Sequence, residues 1–115
     1  MKGYKVFTLN ENFSDLRKLA EKMQKEGSHL LAILDPGVKY ESGYRLFDEG
    51  LKNIYFVMDP PGNIIKGPVS PGFSLFPDFT DSNVRDCWAS HYSFFRENGI
   101  EGLWHDMNEP ALFVL

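Results

Sequence analysis

Apolar and polar positions fall into three rhythms along the chain. From Ser14 to Gly27, Leu16, Leu19, Ala20 and Met23 stand at i, i+3, i+4 and i+7, with Arg17, Lys18, Glu21, Lys22 and Lys25 on the other side. That is the helical period, with Ser14-Asp15 to cap the start and Gly27 where a left-handed C-terminal residue belongs. It predicts a helix over 15–26 with a solvated outer face. Leu30 to Leu34 is an unbroken apolar run stopped by Asp35-Pro36-Gly37. It predicts a strand over 29–34 buried on both faces, as in a parallel sheet covered by helices. Val84, Cys87, Trp88, His91, Phe94 and Phe95 share one helical face between Asp81 and Gly99, predicting a helix over 82–97. Ile100 to Trp104 then predicts a second buried strand, 100–105, with Asp106 at its carboxyl end.

Helix, short turn, strand, acidic residue, twice over, is the order of an α/β protein with parallel strands, in which function collects at the carboxyl ends. Between the two units the rhythm is lost. Residues 36–80 show no amphipathic helix, one expected strand (Ile54 to Met58) and punctuation such as Asp59-Pro60-Pro61-Gly62 and Ser70-Pro71-Gly72. Eight aromatic residues from Tyr40 to Phe79 say that this excursion packs, and a connection of such length reads as a cover over the active face. Tyr4 to Thr8, with β-formers on either side of Lys5, reads as extended.

Composition narrows the function. Twelve Lys+Arg against 16 Asp+Glu give a net charge of −4 in 115 residues, without the basic surface that nucleic-acid binding needs. No apolar run reaches the roughly 18 residues of a membrane span, and no signal-peptide core follows Met1, so a cytoplasmic location is the expectation. Cys87 is the single cysteine, which excludes an internal disulfide. It reads as a small apolar residue of a helix face, His91 as a core or interface residue and His29 as exposed. No histidine pair has ligand spacing and the glycines form no phosphate-binding loop, so neither a metal nor a nucleotide cofactor is expected.

Chemistry concentrates at Gly102-Leu103-Trp104-His105-Asp106-Met107-Asn108-Glu109. A carboxylate at a strand mouth beside an indole suits a sugar, since aromatic rings stack on its apolar face and a carboxylate can bind a hydroxyl or attack the anomeric carbon. A loop with a capping aspartate, or a calcium site using Asp106, Asn108 and Glu109, fits the same residues.

The segment resembles the nucleophile signature of glycoside hydrolase family 31, Gly-Leu-Trp-x-Asp-Met-Asn-Glu, with His105 in the variable place. Gly3 to Thr8, Ile33 to Val38, Tyr44 to Gly50 and Pro71 to Thr80 extend the resemblance in order over the whole chain. It implies part of a (β/α)8 barrel, from about strand two to strand four, with 36–80 as the excursion after strand three. It also implies retaining hydrolysis of terminal α-linked glucose, the Asp-Met-Asn-Glu ending being similar to the α-glucosidase branch. By resemblance Asp106 is the nucleophile, Trp104 and Met107 line the pocket, and Val38 is an apolar wall. Asp35 reads first as the residue holding the strand-end turn and second as a sugar ligand, and Glu109 as an anchor behind the site. The family usually has Trp where this chain has Ser70, and its acid/base aspartate belongs to a later strand. The chain alone is therefore expected to be inactive; a non-catalytic carbohydrate-binding role or a truncated product without function are the alternatives.

Overall fold

The computed structural model describes residues 1–113. Its centre is a pair of parallel strands, β1 (Leu31–Leu34) and β5 (Gly102–His105), in register from Leu31 against Gly102 to Leu34 against His105. Before β1 runs α1 (Leu16–Lys25), whose Leu16 and Ala20 are buried. It ends as its sequence predicts, with Gly27 in the left-handed region at φ 78° and the Ser28 N–H bonded back to the Met23 carbonyl.

The sheet is covered on one side only. Leu34 is buried and Ala32 and Leu103 pack on the core, whereas Leu31, Ile33 and Trp104 on the other face are 58%, 43% and 56% exposed. The expectation of burial on both faces is therefore corrected. Successive side chains point to opposite faces, and among the described residues the core lies against the Leu34 face alone.

The excursion holds more order than its punctuation suggests. β2 (Val38–Lys39), β3 (Lys66–Val69) and β4 (Gly72–Leu75) form an antiparallel sheet in the order β2-β4-β3. The β3–β4 hairpin turns through Ser70-Pro71, and Gly72 takes φ 106°. Contrary to the sequence reading, the excursion also contains a helix, α2 (Arg45–Asn53), with Leu46, Phe47 and Gly50 buried. Gly50 hid it: a glycine lowers the helical signal, yet here it lets α2 lie on Phe56, whose ring a Cβ would meet at 2.4 Å. The strand expected over 54–58 reduces to isolated bridges, Phe56 with Pro77 and Met58 with Ile64.

Helix 82–97 is two helices, α3 (Ser82–Ser90) and α4 (Ser93–Glu97). Asp81 caps α3 as expected, its carboxylate accepting the Asn83 N–H at 2.8 Å. The break follows Ser90, whose hydroxyl donates to the Cys87 carbonyl at 2.6 Å, a side-chain bond that competes with the helical ladder. Tyr4 to Thr8 is no strand: Lys2–Tyr4 is a 3-10 turn, Tyr4 and Phe7 have φ 58° and 57°, and among the described residues no ladder pairs them. The segment is held by packing. Phe7 sits among Trp88, His91 and Phe95 with ring centroids 5.2–5.3 Å away, and the buried Tyr44 hydroxyl donates to the Val6 carbonyl at 2.8 Å. Among the described residues no helix is long and apolar enough to cross a membrane.

Candidate functional site

Parallel pairing of β1 with β5 puts their two following residues, Asp35 and Asp106, next to each other in register beyond Leu34 and His105. The Asp106 N–H closes the ladder on the Leu34 carbonyl at 3.3 Å. Repulsion is the consequence. Burial, and then the neighbouring Asp106 carboxylate, push the Asp35 carboxyl above its ordinary range. Asp35 Oδ1 is also buried without a hydrogen-bond partner, which adds to the cost of its charge.

Asp106 is half-buried, and its carboxylate accepts the Met107 backbone N–H at 3.0 Å. Met107 has φ 56°. The left-handed region is uncommon outside glycine and asparagine, and such a residue held at a strand mouth is stored strain of the kind found at functional sites. It turns the chain sharply away from β5 and leaves the Asp106 side chain at the lip. Trp104, two residues earlier, offers an indole on the open face of the sheet beside Ile33. His105, between them, alternates to the other face, where its Nε2 lies 3.4 Å from the Tyr92 hydroxyl.

Four of the five residues singled out in the sequence, Asp35, Trp104, Asp106 and Met107, are thus brought to one strand mouth. Val38 is not among them. It is 0% exposed on β2 opposite Leu75, inside the main core. Antiparallel pairing within the excursion turns this side chain inward, so it supports the site from beneath and offers no wall to a ligand.

Ser70, where the resemblance leads one to expect Trp, is exposed at the β3–β4 hairpin tip. Val69 before it reaches Gly37 of the Asp35 turn, where a Cβ would stand 3.0 Å from the valine methyl. The chain after Asp106 returns along the same hairpin: the Phe113 N–H donates to the Pro68 carbonyl at 3.0 Å, and Leu112 lies where a Gly67 Cβ would be. A cleft of about 410 Å3 beside the strand mouth is lined by Pro36, Phe79, Tyr92, His105 and Asn108. Phe79 was legible only as a packing residue of the excursion and Tyr92 was missed, because nothing in their spacing points to a shared surface.

Comparison with known proteins shows the family. Residues 1–114 match the glycosyl hydrolases family 31 TIM-barrel domain. The chain is 43% identical over 114 residues to α-glucosidase 2 of Bacillus thermoamyloliquefaciens, covering 98% of this chain and 14% of that protein. It is 34% identical to the lysosomal α-glucosidase of Mus musculus, covering 99% of this chain and 12% of the relative. A family 31 α-glucosidase structure from Bacteroides thetaiotaomicron superposes with a TM-score of 0.90 at 33% identity, over 97% of this chain and 19% of that one. The chain therefore spans less than a fifth of each of these relatives, and it belongs to glycoside hydrolase family 31, within the TIM-barrel domain.

Proposed function

We propose that this chain carries the nucleophile side of the active site of a retaining α-glucosidase, with β1 and β5 as strands three and four of the barrel and residues 36–80 as the excursion between them. The observation that carries the reading is the placement of Gly102 to Glu109. The run lies along β5 so that Asp106 stands one residue past the strand, beside an exposed indole and a second carboxyl.

In this mechanism the α-linked glucose stacks on Trp104, and an Asp106 oxygen attacks its anomeric carbon. The bond to the leaving oxygen breaks as that oxygen takes a proton from a general acid. Water, giving up its proton to the conjugate base of that acid, then displaces the sugar from Asp106, returning the carboxylate and the acid. Asp35 hydrogen-bonds sugar hydroxyls at the rim, and Met107 packs on the ring edge. Retention needs the acid about 5–5.5 Å from the nucleophile, and the family supplies it from a later strand. The 115 residues alone are therefore expected not to turn over substrate. The curated relatives named above are α-glucosidases, and an α-glucoside oligosaccharide is the proposed substrate.

In a polypeptide containing this chain and the rest of the barrel, a fluorinated glucosyl inhibitor should label the peptide bearing Asp106. Asp106→Ala should lower turnover of an aryl α-glucoside by about 10⁴-fold or more. Label confined to another peptide, or a variant with near wild-type rate, would overturn the reading in favour of a sugar-binding or functionless module.

A further inference from the structure

Away from the strand mouth, two helices bring three different donor groups to one point. Glu49 comes from α2, Cys87 from α3, and His91 from the residue that ends α3. All three are half-buried, and their donor atoms lie within 4.8 Å of one another. Cys87 Sγ is 3.6 Å from Glu49 Oε1 and 4.0 Å from His91 Nε2, and His91 Nε2 is 3.8 Å from Glu49 Oε2. We propose that Glu49, Cys87 and His91 form a binding site for a divalent transition metal of the zinc class, which ties α2 to α3.

Three considerations support the assignment. The first is geometry. Bonds of about 2.3 Å to sulfur and about 2.0–2.2 Å to nitrogen and oxygen, at tetrahedral angles, imply donor separations of roughly 3.4–3.6 Å. The two edges to Glu49 end on different carboxylate oxygens, and with one oxygen per carboxylate the three donors lie within 4.8 Å of one another, so rotation of the Glu49 and His91 side chains must draw them in by up to about an ångström to reach that geometry. The second is chemistry: a thiolate, an imidazole and one carboxylate suit zinc or cobalt, whereas calcium and magnesium require mostly oxygen. The third is preparation of the ligands. Cys87 and His91 are four residues apart on one helical face, and the His91 ring is stacked on Phe7 at 5.3 Å, which fixes its plane.

A surface cleft of about 460 Å3, lined in part by Glu49, Tyr55, Asp86 and Cys87, gives an ion and a fourth ligand water a path to the site. Arg45 faces Glu49 at 3.8 Å, but it is largely exposed and free to swing into solvent. Burial and Glu49 hold the Cys87 thiol protonated. Binding therefore forms a sulfur–metal bond as the thiol proton passes to solvent, and part of the affinity is spent on that release. The sequence expectation of no metal rested on paired-ligand spacing, which a site assembled from helices 38 residues apart does not display.

Cobalt titration of the full chain tests the proposal without reference to activity. Since Cys87 is the only cysteine, a thiolate-to-cobalt charge-transfer band reports this site alone. We expect the band to saturate at one equivalent and to disappear when Zn2+ is added. Cys87→Ser should abolish it, and Glu49→Gln and His91→Gln should each weaken binding by about tenfold or more. Absence of a saturable band in the wild-type chain up to millimolar cobalt overturns the proposal, whether or not the variants fold. So does binding that Glu49→Gln and His91→Gln leave unchanged.

Discussion

Asp35 places a carboxyl in surroundings that disfavour its charge, and the sign of its effect on stability follows. Its folded pKa lies above the ordinary value of 3.8 because of burial and of Asp106. The native state therefore binds the Asp35 proton more tightly than the unfolded chain does. Between the ordinary and the raised pKa, stability falls as pH rises, and at neutral pH the ionised carboxyl is a net cost. Asp35→Asn should stabilise the chain at pH 7. The gain should stay below about 1 kcal/mol, because solvent reaches much of the group and screens it, and it should shrink as pH falls through the raised pKa and be gone below 3.8. Thermal melts of both proteins across that range check the sign; a variant less stable at pH 7 would mean that the carboxylate makes a bond the raised pKa does not reflect. The strain at Met107 belongs to the same scale, since both residues are held in unfavourable states at the one place where the proposed chemistry needs them.

At the scale of elements, Gly50 shows how a helix can be present and hidden. Alanine in an exposed helix would gain about 1 kcal/mol over glycine. At Gly50 the new methyl would instead meet the buried Phe56 ring at 2.4 Å, and overpacking of that kind costs roughly 1–3 kcal/mol. Gly50→Ala should lower the urea midpoint despite the better propensity; an unchanged or higher midpoint would show that Phe56 moves aside freely. The same contact explains what was legible. α1, β1 and β5 could be read because the helical period, the Gly27 stop and the unbroken apolar runs are local signals, although Asp15 makes no side-chain cap and one face of the sheet is open. α2 could not, since its helical signal is traded for a close approach to a residue six positions away. The break between α3 and α4 is likewise invisible, as one serine hydroxyl decides it. Asp106, Trp104, Met107 and Asp35 were legible as a group through one strand-end motif and a second Asp-Pro-Gly stop. Val38 was misplaced because the pairing of β2 with β4 is non-local, and the Glu49, Cys87 and His91 cluster left no trace for the same reason.

For the whole molecule, the decisive feature is a two-stranded parallel sheet with one bare face. Leu31, Ile33 and Trp104 form an exposed apolar strip, and β1 and β5 pair only with each other among the described residues. Exposed strand edges beside apolar surface favour association. The 115-residue chain should therefore self-associate at micromolar concentration. Ile33→Lys should raise the dissociation constant by about tenfold or more, since burying an isoleucine contributes about 1.5–3 kcal/mol. Sedimentation of the two proteins reads this directly, and a monomeric wild type would refute it.

The return of the chain along the β3–β4 hairpin ties two design problems together. Gly67 leaves room for Leu112, and Pro68 accepts the Phe113 N–H, so the backbone leaving Asp106 is anchored to the hairpin whose tip bears Ser70. On the proposed mechanism, a change that reshapes that tip to admit a different sugar would also pull on the tether of the Asp106 carboxylate. Selectivity and reactivity would then be inherited as a unit, and laboratory variants that broaden one without a compensating change near residue 112 should lose some of the other.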